Sequence, residues 1–408
     1  MSGIIFHIDV NSAYLSWSAL KKLEEGADCD LRTIPSIIGG DTAKRHGVVL
    51  AKSIPAKKFR IRTGEPVVSA LRKCPFLVME PPDHRLYAKR SRQLTDFLTE
   101  ICPDIEQVSI DECYMDFTSV ADLYPSASFA AAFMKDEIRK RFGYTVNIGI
   151  SDRKVLAKMA SDFKKPDLVH TLFHNQIQEK MWPLPVSSLY MCGHSSVETL
   201  KKLEIMTIGD LAQADPDILY AHMKSHGRQL WEYANGIDDS CVITEPERQK
   251  GVGNSTTLSK DATTRAEALH PLLQLADSVS RRLRSAGQMA GMINVEIKYG
   301  DFSTVSHQTT LSVPTDSSDT IYHTACELFD KIWNHNPIRL LGIRTSKLKD
   351  SNEPRQLNLF EISTGKPASQ KQQKLDAALD SIRSRYGNSA VVRGSFLEKK
   401  TSRPHSDS

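Results

Sequence analysis

The sequence lacks any long run of apolar residues, and no stretch approaches the ~18 residues of a membrane-spanning helix. Its N-terminus lacks the basic, apolar and small-residue segments of a secretory signal peptide. The seven cysteines form no Cys-x-x-Cys pair and are odd in number, which argues against a disulfide framework or a zinc site. No internal repeat of fixed period is present. We therefore expect a cytoplasmic protein that does not associate with membranes.

The chain has 408 residues, enough for roughly two to four domains with substantial cores. Its formal net charge of +4 is compatible with a nucleic-acid partner, although local basic patches matter more than the sum. Composition thus indicates a globular, multidomain protein and leaves its function open.

Two adjacent carboxylates interrupt a run, residues 108–116, that otherwise predicts a buried strand. A second predicted strand, residues 4–9, also ends on a carboxylate. Acidic side chains in a packed sheet are unfavourable unless something neutralises them, and Mg²⁺ binds carboxylate oxygens together with substrate phosphates. We therefore predict that Asp9, Asp111 and Glu112 form a two-metal phosphoryl-transfer site.

The Asp-Glu pair has a second interpretation. Such a dipeptide is by itself typical of a solvated turn, and a regular strand would send Asp111 and Glu112 to opposite faces. The predicted site therefore requires a turn or an irregularity at this point of the chain.

A helix is predicted directly after the first strand, with Asn11 or Ser12 as its N-cap. Asp9 then lies beside a helix N-terminus, whose backbone N–H groups favour an anion such as a triphosphate. Tyr14 falls in the first turn, close to both; a half-buried aromatic is the alternative interpretation. The basic stretch at residues 52–62 could hold a nucleotide's phosphates or could form a solvated helix face.

The order of predicted elements indicates an α+β fold. Residues 4–150 suggest a split βαβ sheet backed by helices and interrupted by a basic insertion. Residues 187–213 suggest two short helices joined by a tight turn. The first helix is predicted to start after residues 192–195, and there Gly193, His194 and Ser195 could present a glycine turn and amide groups to a DNA phosphate. A plain helical hairpin is the alternative.

Residues 251–350 predict a second, self-contained β-α-β-β-α-β domain. Its strands mix basic and hydroxyl residues, which suits contacts to a phosphate backbone; an ordinary solvated sheet face is the alternative. A short helix is predicted near the C-terminus, with Leu375, Leu379, Ile382 and Tyr386 on one side and Gly387 at its end.

Four segments carry a family resemblance: residues 8–14, 109–114, 149–166 and 252–257. In order and spacing they resemble the Y-family DNA polymerases, and among these the bacterial DNA polymerase IV class, up to about residue 396. The resemblance implies a right-hand α+β polymerase with a ferredoxin-like palm and a helix-hairpin-helix thumb. The implied domains are the palm, residues 1–14 and 80–172; the fingers, 15–79; the thumb, 173–242; the linker, 243–250; the β-α-β-β-α-β little finger, 251–350; and a C-terminal tail, 351–408.

The resemblance also implies a function, which is template-directed, error-prone DNA synthesis across damaged bases. The implied partners of this monomer are primer–template DNA, deoxynucleoside triphosphates and the replicative sliding clamp. Tyr14 would be a steric gate that clashes with a ribose 2′-hydroxyl. The implied site residues are Asp9, Asp111, Glu112 and the Val10 carbonyl for two Mg²⁺ ions; Tyr14, Ala13, Lys57 and Lys165 for the nucleotide; and Gln356, Leu359 and Phe360 for the clamp.

The fingers depart from the family pattern. Residues 54–57 read Ile-Pro-Ala-Lys where the family has Tyr-x-Ala-Arg, so a phenol donor is missing and a point charge replaces a guanidinium. Ala13 stands where an aromatic is usual, and Met191 replaces the first glycine of the thumb's Gly-x-Gly turn. We therefore predict a raised nucleotide KM, partly offset by Lys52 or Lys58, and an intact metal site.

Two alternatives remain open on the residues alone. The first is another two-metal enzyme on a palm, such as a nucleotide cyclase, which would act without a template and needs neither the hairpin nor the second domain. The second is a DNA- or clamp-binding relative that has lost turnover. The intact carboxylates argue against the second alternative, and the altered fingers argue for it.

Overall fold

The computed structural model describes residues 3–40, 47–245, 248–351, 370–387 and 390–391. Contacts divide these residues into two units, one ending at residue 245 and one beginning at residue 248. The implied clamp-binding residues Gln356, Leu359 and Phe360 lie outside the described residues. Within the described ranges, no helix has the length and apolar character needed to cross a bilayer.

The first unit holds the predicted split sheet, its insertion and the helical region. Its strands are β1 (Ile5–Val10), β2 (Ser36–Gly39), β3 (Val49–Lys52), β4 (Val78–Glu80), β5 (Ile105–Gln107), β6 (Glu112–Asp116), β7 (Val146–Ser151) and β8 (Val169–Thr171). Its helices are α1 (Ala13–Glu24), α2 (Ile54–Lys58), α3 (Val67–Lys73), α4 (His84–Ile101), α5 (Ala127–Phe142), α6 (Lys154–Asp162), α7 (Ile177–Lys180), α8 (His194–Lys202), α9 (Ile208–Gln213) and α10 (Pro216–Ala234).

The largest sheet of this unit is centred on β1. Its strand order is β5-β6-β1-β7-β8, with β1 antiparallel to both neighbours and β8 parallel to β7. Alternation along β1 sends Phe6 and Ile8 into a core shared with α4 and α5, whereas His7 and Asp9 contact residues of α6. The sheet therefore has an apolar face and a face that carries ionisable groups.

Helix α6 lies close to the sheet because β7 carries a glycine. A Cβ atom on Gly149 would lie 2.0 Å from the carbonyl oxygen of Ala157 and 2.5 Å from the amide nitrogen of Ser161. Any larger residue would push the helix away. The Asn147 side chain holds the end of α6 by donating to the carbonyl oxygens of Ser161 (3.1 Å) and Lys164 (2.6 Å).

The basic insertion forms a small sheet of its own. Its order is β3-β2-β4, with β2 antiparallel to β3 and parallel to β4. The Ser53 hydroxyl begins α2 by accepting from the Ala56 N–H (3.1 Å) and donating to the Ile34 carbonyl (2.7 Å). Helix α1 connects the two sheets, because Trp17 lies in the large core and Leu15 packs against the insertion.

The helical region contains the predicted hairpin. Its second helix, α9, begins with a capping box: the Asp210 N–H donates to Thr207 Oγ1 (3.0 Å), and the Thr207 N–H donates to Asp210 Oδ2 (2.8 Å). Helix α8 begins at His194 with Gly193 as its N-cap, slightly earlier than predicted. Met191 has φ of 67°, in the left-handed region that favours glycine, which explains why a glycine is usual there.

The second unit confirms the predicted β-α-β-β-α-β order. Its elements are β9 (Gly251–Ala262), α11 (Arg265–Ser285), β10 (Gln288–Tyr299), β11 (Thr304–Thr315), α12 (Ser318–Ile332) and β12 (Ile338–Asp350), followed by α13 (Gln370–Tyr386). The sheet order is β11-β10-β12-β9, and all neighbours are antiparallel. Helices α11 and α12 share one core with the sheet, so the opposite sheet face remains available to solvent.

Helix α13 is present as predicted, but it does not pack through its apolar side. Leu375, Ile382 and Tyr386 are exposed, and Leu379 is partly buried. The contact to α11 is ionic: Arg284 Nε lies 2.6 Å from Asp380 Oδ2, and its guanidinium lies 3.5 Å from the buried Asp376 carboxylate. A guanidinium that is mostly buried requires such counter-charges. The face of α13 that carries Asp376 and Asp380 therefore packs against α11.

Candidate active site

Backbone pairing places the three predicted carboxylates at one end of the large sheet. Asp9 and Glu112 are directly opposite in the antiparallel register of β1 and β6. The pairing extends by one residue beyond the start of β6, because the Val10 N–H donates to the carbonyl oxygen of Asp111 at 2.9 Å. Residues about a hundred positions apart in sequence are thus neighbours in the fold, as the sequence pattern predicts.

The irregularity that the site requires is present just before β6. Ser109 forms a turn in which its hydroxyl donates to Asp111 Oδ1 (2.7 Å) and accepts from the N–H groups of Asp111 (3.3 Å) and Glu112 (3.2 Å). The N–H groups of Val108 and Ser109 both donate to the Glu112 carbonyl. Asp111 is therefore not part of a regular strand, and the alternation that would separate it from Glu112 does not apply.

Two lysines lie over the carboxylates. Lys158 of α6 contacts both Glu112 Oε2 and Asp9 Oδ2, the latter at 3.7 Å. Lys165, just after α6, lies 3.1 Å from Asp9 Oδ1. Among the described residues, no three histidine, cysteine or acidic side chains already form a metal-binding group. Two of the three predicted ligands instead hold ammonium groups.

These contacts set the charges of the site. The pKa of Glu112 is lowered to about 2, by the His7 imidazole and then by the Lys158 ammonium, against the opposing effect of burial. Burial raises the pKa of Asp9, which Lys165 and Lys158 counteract. Burial would lower the pKa of both lysines, but the carboxylates outweigh it and raise each pKa. Glu112 and both lysines are therefore charged near neutral pH.

His7 lies beneath this layer and is fully buried. Its Nδ1 is 2.8 Å from Ser161 Oγ, and its Nε2 is 3.5 Å from Glu112 Oε2, which is long for a hydrogen bond. Burial lowers the pKa of His7, so the ring is neutral at pH 7. His7 thus contributes packing and a dipole beneath Glu112 rather than a further positive charge.

A cavity of about 320 Å³ opens beside Asp9 and brings together residues from distant segments. Lys57 of α2 and Lys165 line it, as does Ile54, which is about half exposed. Arg32 also lines the cavity, and its Nε and Nη2 groups donate bidentate hydrogen bonds to the Asp30 carboxylate (2.8–3.0 Å). No sequence pattern indicated a role for Arg32, because a single arginine outside any motif cannot be distinguished from a surface charge.

The N-terminus of α1 borders the same cavity. Ser12 occupies the N-cap position with φ of 48°, but its side chain makes no capping hydrogen bond, so the expected side-chain cap is absent. Ser12 and Leu15 line the cavity, and Tyr14 lies between them in the first turn. The Ala13 methyl group is buried in the large core, which leaves only the Ala13 backbone to face a ligand.

The hairpin residues lie on the surface of the helical region. The His194 side chain is 89% exposed and comes within 3.8 Å of Glu198 one turn later. A Cβ atom on Gly193 would meet nothing within 4 Å, so the backbone there is open to a partner. Ser195 follows in the first turn of α8.

The fold has a solved counterpart. The Y-family DNA polymerase chimera Dbh-Dpo4(243-245)-Dbh superimposes with a TM-score of 0.74 at 19% identity, covering 85% of this chain and 99% of that chain. The architecture is therefore that of a Y-family DNA polymerase, with a right-hand α+β fold.

Sequence comparisons give the family. The impB/mucB/samB family model matches residues 8–162, and the model of that family's C-terminal domain matches residues 249–359. DNA polymerase IV of Clostridium acetobutylicum is 44% identical over 98% of this chain and 100% of its own length. DNA polymerase IV 1 of Bacillus subtilis is 37% identical over 98% and 95%, respectively. The chain belongs to the impB/mucB/samB family, as a Y-family polymerase of the DNA polymerase IV type.

Proposed function

We propose that this translesion DNA polymerase adds deoxynucleotides to a primer 3′ end at a site formed by Asp9, Asp111 and Glu112, which would hold two Mg²⁺ ions. Polymerases of this family depend on divalent metal ions in general. The observation that carries the proposal is the junction of the carboxylates with a cavity lined by Asp9, Lys57 and Lys165. Acidic and basic groups are thus placed side by side, as a metal–triphosphate complex requires.

The residues fit divalent cations. The oxygens of Asp9 and Glu112 already attract positively charged groups, namely the two lysines. The donor set consists of carboxylates and the Val10 carbonyl, all oxygen ligands, which suits Mg²⁺ better than Zn²⁺. When bound, the ions would lower the pKa of the primer hydroxyl and offset charge on the phosphoryl oxygens.

The chain's own groups then position the substrates. Lys57, Lys165 and Arg32 would bind the triphosphate oxygens, and the first amides of α1 would add hydrogen bonds, since Ser12 does not cap them. The primer 3′-oxygen forms a bond to the α-phosphorus as pyrophosphate leaves. Because such transfers depend mainly on alignment and electrostatics, fixing these groups accounts for most of the rate enhancement.

Primer extension with Mg²⁺, an undamaged template and each deoxynucleotide alone tests this function. We expect addition of the complementary nucleotide only, and loss of activity when the metal is chelated. Template-independent conversion of a nucleoside triphosphate would instead indicate a cyclase-like enzyme. DNA binding without extension would indicate a relative that has lost turnover.

The altered fingers give a second prediction. Ile54 and Lys57 line the nucleotide cavity, so we expect the double variant Ile54→Tyr with Lys57→Arg to lower the deoxynucleotide KM by about tenfold. The phenol restores a donor and the guanidinium can grip two phosphate oxygens. Single-nucleotide insertion kinetics measure the effect, with Arg72→Lys on α3, at an exposed position away from the residues that line the cavity, as control. An unchanged KM in the double variant would argue against a binding role for these positions.

DNA and clamp contacts complete the proposal. The backbone at Gly193, His194 and Ser195 would contact a DNA phosphate, as would the open sheet face of the second unit. That face carries a groove of about 730 Å³ lined by polar residues that include Asn254 and Arg344. The peptide that contains Gln356, Leu359 and Phe360 would bind the sliding clamp, because its sequence resembles the clamp-binding peptide of this family.

A further inference from the structure

A closed ring of ion pairs includes Asp9, one of the proposed metal ligands. Lys158 contacts Asp9 Oδ2 (3.7 Å) and Asp162 Oδ2 (3.9 Å). Lys165 contacts Asp9 Oδ1 (3.1 Å) and Asp162 Oδ1 (2.8 Å). Glu112 is attached to the ring through its close contact with Lys158. Two carboxylates and two ammonium groups thus alternate around the ring, and a third carboxylate, that of Glu112, joins it through Lys158.

The ring places ammonium groups on the oxygens that would bind metal. Both oxygens of Asp9 face a lysine, and Glu112 Oε2 faces Lys158. The Lys158 side chain is only 13% exposed, so water screens its charge weakly. A divalent cation at these oxygens would be repelled by an ammonium group a few ångströms away. Metal ions and the Lys158 ammonium therefore compete for the same ligands.

Asp162 offers the displaced lysine another partner. It lies at the end of α6, one turn after Lys158, and does not belong to the strands that carry the predicted ligands. Its side chain is 46% exposed and already contacts both lysines. A small rotation of the Lys158 side chain would retain Asp162 while releasing Asp9 and Glu112.

We propose that Lys158 is the resident counter-ion of the metal-free site and that Asp162 retains it when divalent ions bind. This inference rests on the proposed function of Asp9 and Glu112 as metal ligands. In the metal-free protein, the Lys158 ammonium contacts both Asp9 and Glu112 and offsets the repulsion between their carboxylates. The phosphates of a bound nucleotide would stabilise the lysine side chains in their displaced positions. Metal binding and nucleotide binding would therefore strengthen each other through linkage.

Mn²⁺ binding to the full-length protein, without DNA or nucleotide, tests this role. We expect Lys158→Met to bind Mn²⁺ about tenfold more tightly than the unmodified protein, because the competing charge is gone. Free Mn²⁺ is followed by its electron paramagnetic resonance signal. A merely structural role for Lys158 would leave the affinity unchanged or weaken it. Unchanged affinity, weakened affinity or undetectable binding in both proteins would each overturn the proposal.

Lys154 provides a matched control on the same helix. It lies one turn before Lys158, and its buried ammonium pairs with Glu106 at 2.6 Å. Because Glu106 is not a predicted metal ligand, we expect Lys154→Met to leave the Mn²⁺ affinity within about twofold of normal. Equal tightening in both variants would show a general charge effect and would contradict the specific role of Lys158.

A second variant keeps the test valid if Lys158→Met does not fold. Asp162→Asn changes an accessible side chain, and we expect it to weaken Mn²⁺ binding about threefold, since the displaced ammonium loses its partner. Unchanged or tighter binding would contradict the role of Asp162. Circular dichroism verifies the fold of each variant.

The two proposals fail separately. If the unmodified protein extends primers and Glu112→Gln abolishes Mn²⁺ binding, but Lys158→Met does not tighten it, only the counter-ion role is wrong. If the unmodified protein does not extend primers with Mg²⁺ or Mn²⁺, the proposed function itself is wrong.

Discussion

The Asp111→Ala protein is expected to bind primer–template DNA normally and to add nucleotides at least about a thousandfold more slowly. Within the described residues, Asp111 forms no ion pair, and its carboxylate interacts with the hydroxyl of its neighbour Ser109. Its removal therefore leaves no ammonium group without a partner, unlike removal of Asp9 or Glu112. The substitution removes a proposed metal ligand while the fold is preserved.

The same change at Asp116 is the matched control. Asp116 is the last residue of β6 and accepts the Thr118 N–H at 3.0 Å, far along the strand from the proposed ligands. Primer extension under single-turnover conditions compares the two variants, and a gel-shift assay with labelled duplex measures DNA binding. We expect Asp116→Ala to retain activity. Near-normal extension by Asp111→Ala would show that the metal site has been wrongly assigned.

The pairing of β1 with β6 could be predicted because both strands are visible in local sequence patterns. Alternation of apolar residues before Asp9 identifies the first strand, and the buried run that Asp111 and Glu112 interrupt identifies the second. A carboxylate in or beside a packed strand needs an explanation wherever it occurs. The need for an irregular backbone at Asp111 also follows from the two-residue repeat of a strand. The role of Ser109 did not follow, because a serine before a turn is too common to signal anything specific.

The ion-pair ring could not be predicted, because it depends on the distance between a helix and a sheet. Spacing along α6 shows that Lys154 and Lys158 share a face, but it does not show which of the two contacts the carboxylates of Asp9 and Glu112. Only the close approach at Gly149 places Lys158 over Asp9, while Lys154 reaches Glu106 instead. Tertiary placement, rather than residue type, thus separates the two lysines.

Helix α13 illustrates a different limit. Periodicity identifies which residues share a face, but it does not say which face meets the rest of the protein. The Arg284 guanidinium has little access to water, so leaving it without counter-charges would be unfavourable. Docking α13 through Asp376 and Asp380 supplies those charges. That need for counter-charges is visible only when the environment of Arg284 is known.

Tyr14 is fixed in the structure in a way that suits a steric gate. Its ring stacks on Tyr87, with centroids 4.3 Å apart and an interplanar angle of 8°, and His84 meets it edge-on at 6.0 Å. Tyr87 is fully buried and exchanges a hydrogen bond with Ser18 at 2.8 Å, which holds the stack in place. A ring held on two sides cannot swing away easily, so in the proposed gate a sugar hydroxyl that overlaps it would be rejected.

We therefore expect Tyr14→Ala to reduce discrimination against ribonucleotides by about a hundredfold while deoxynucleotide insertion changes much less. Tyr14→Phe is the matched control, because it keeps the ring and its stack on Tyr87 but removes the hydroxyl. Insertion kinetics with each deoxynucleotide and its ribonucleotide counterpart give the ratio for all three proteins. If the ring is the gate, the phenylalanine variant keeps the normal ratio; if the hydroxyl selects the sugar, it loses selectivity as the alanine variant does. Unchanged discrimination in Tyr14→Ala would remove Tyr14 from sugar selection, since no bulky side chain would then remain at that position to clash with a 2′-hydroxyl.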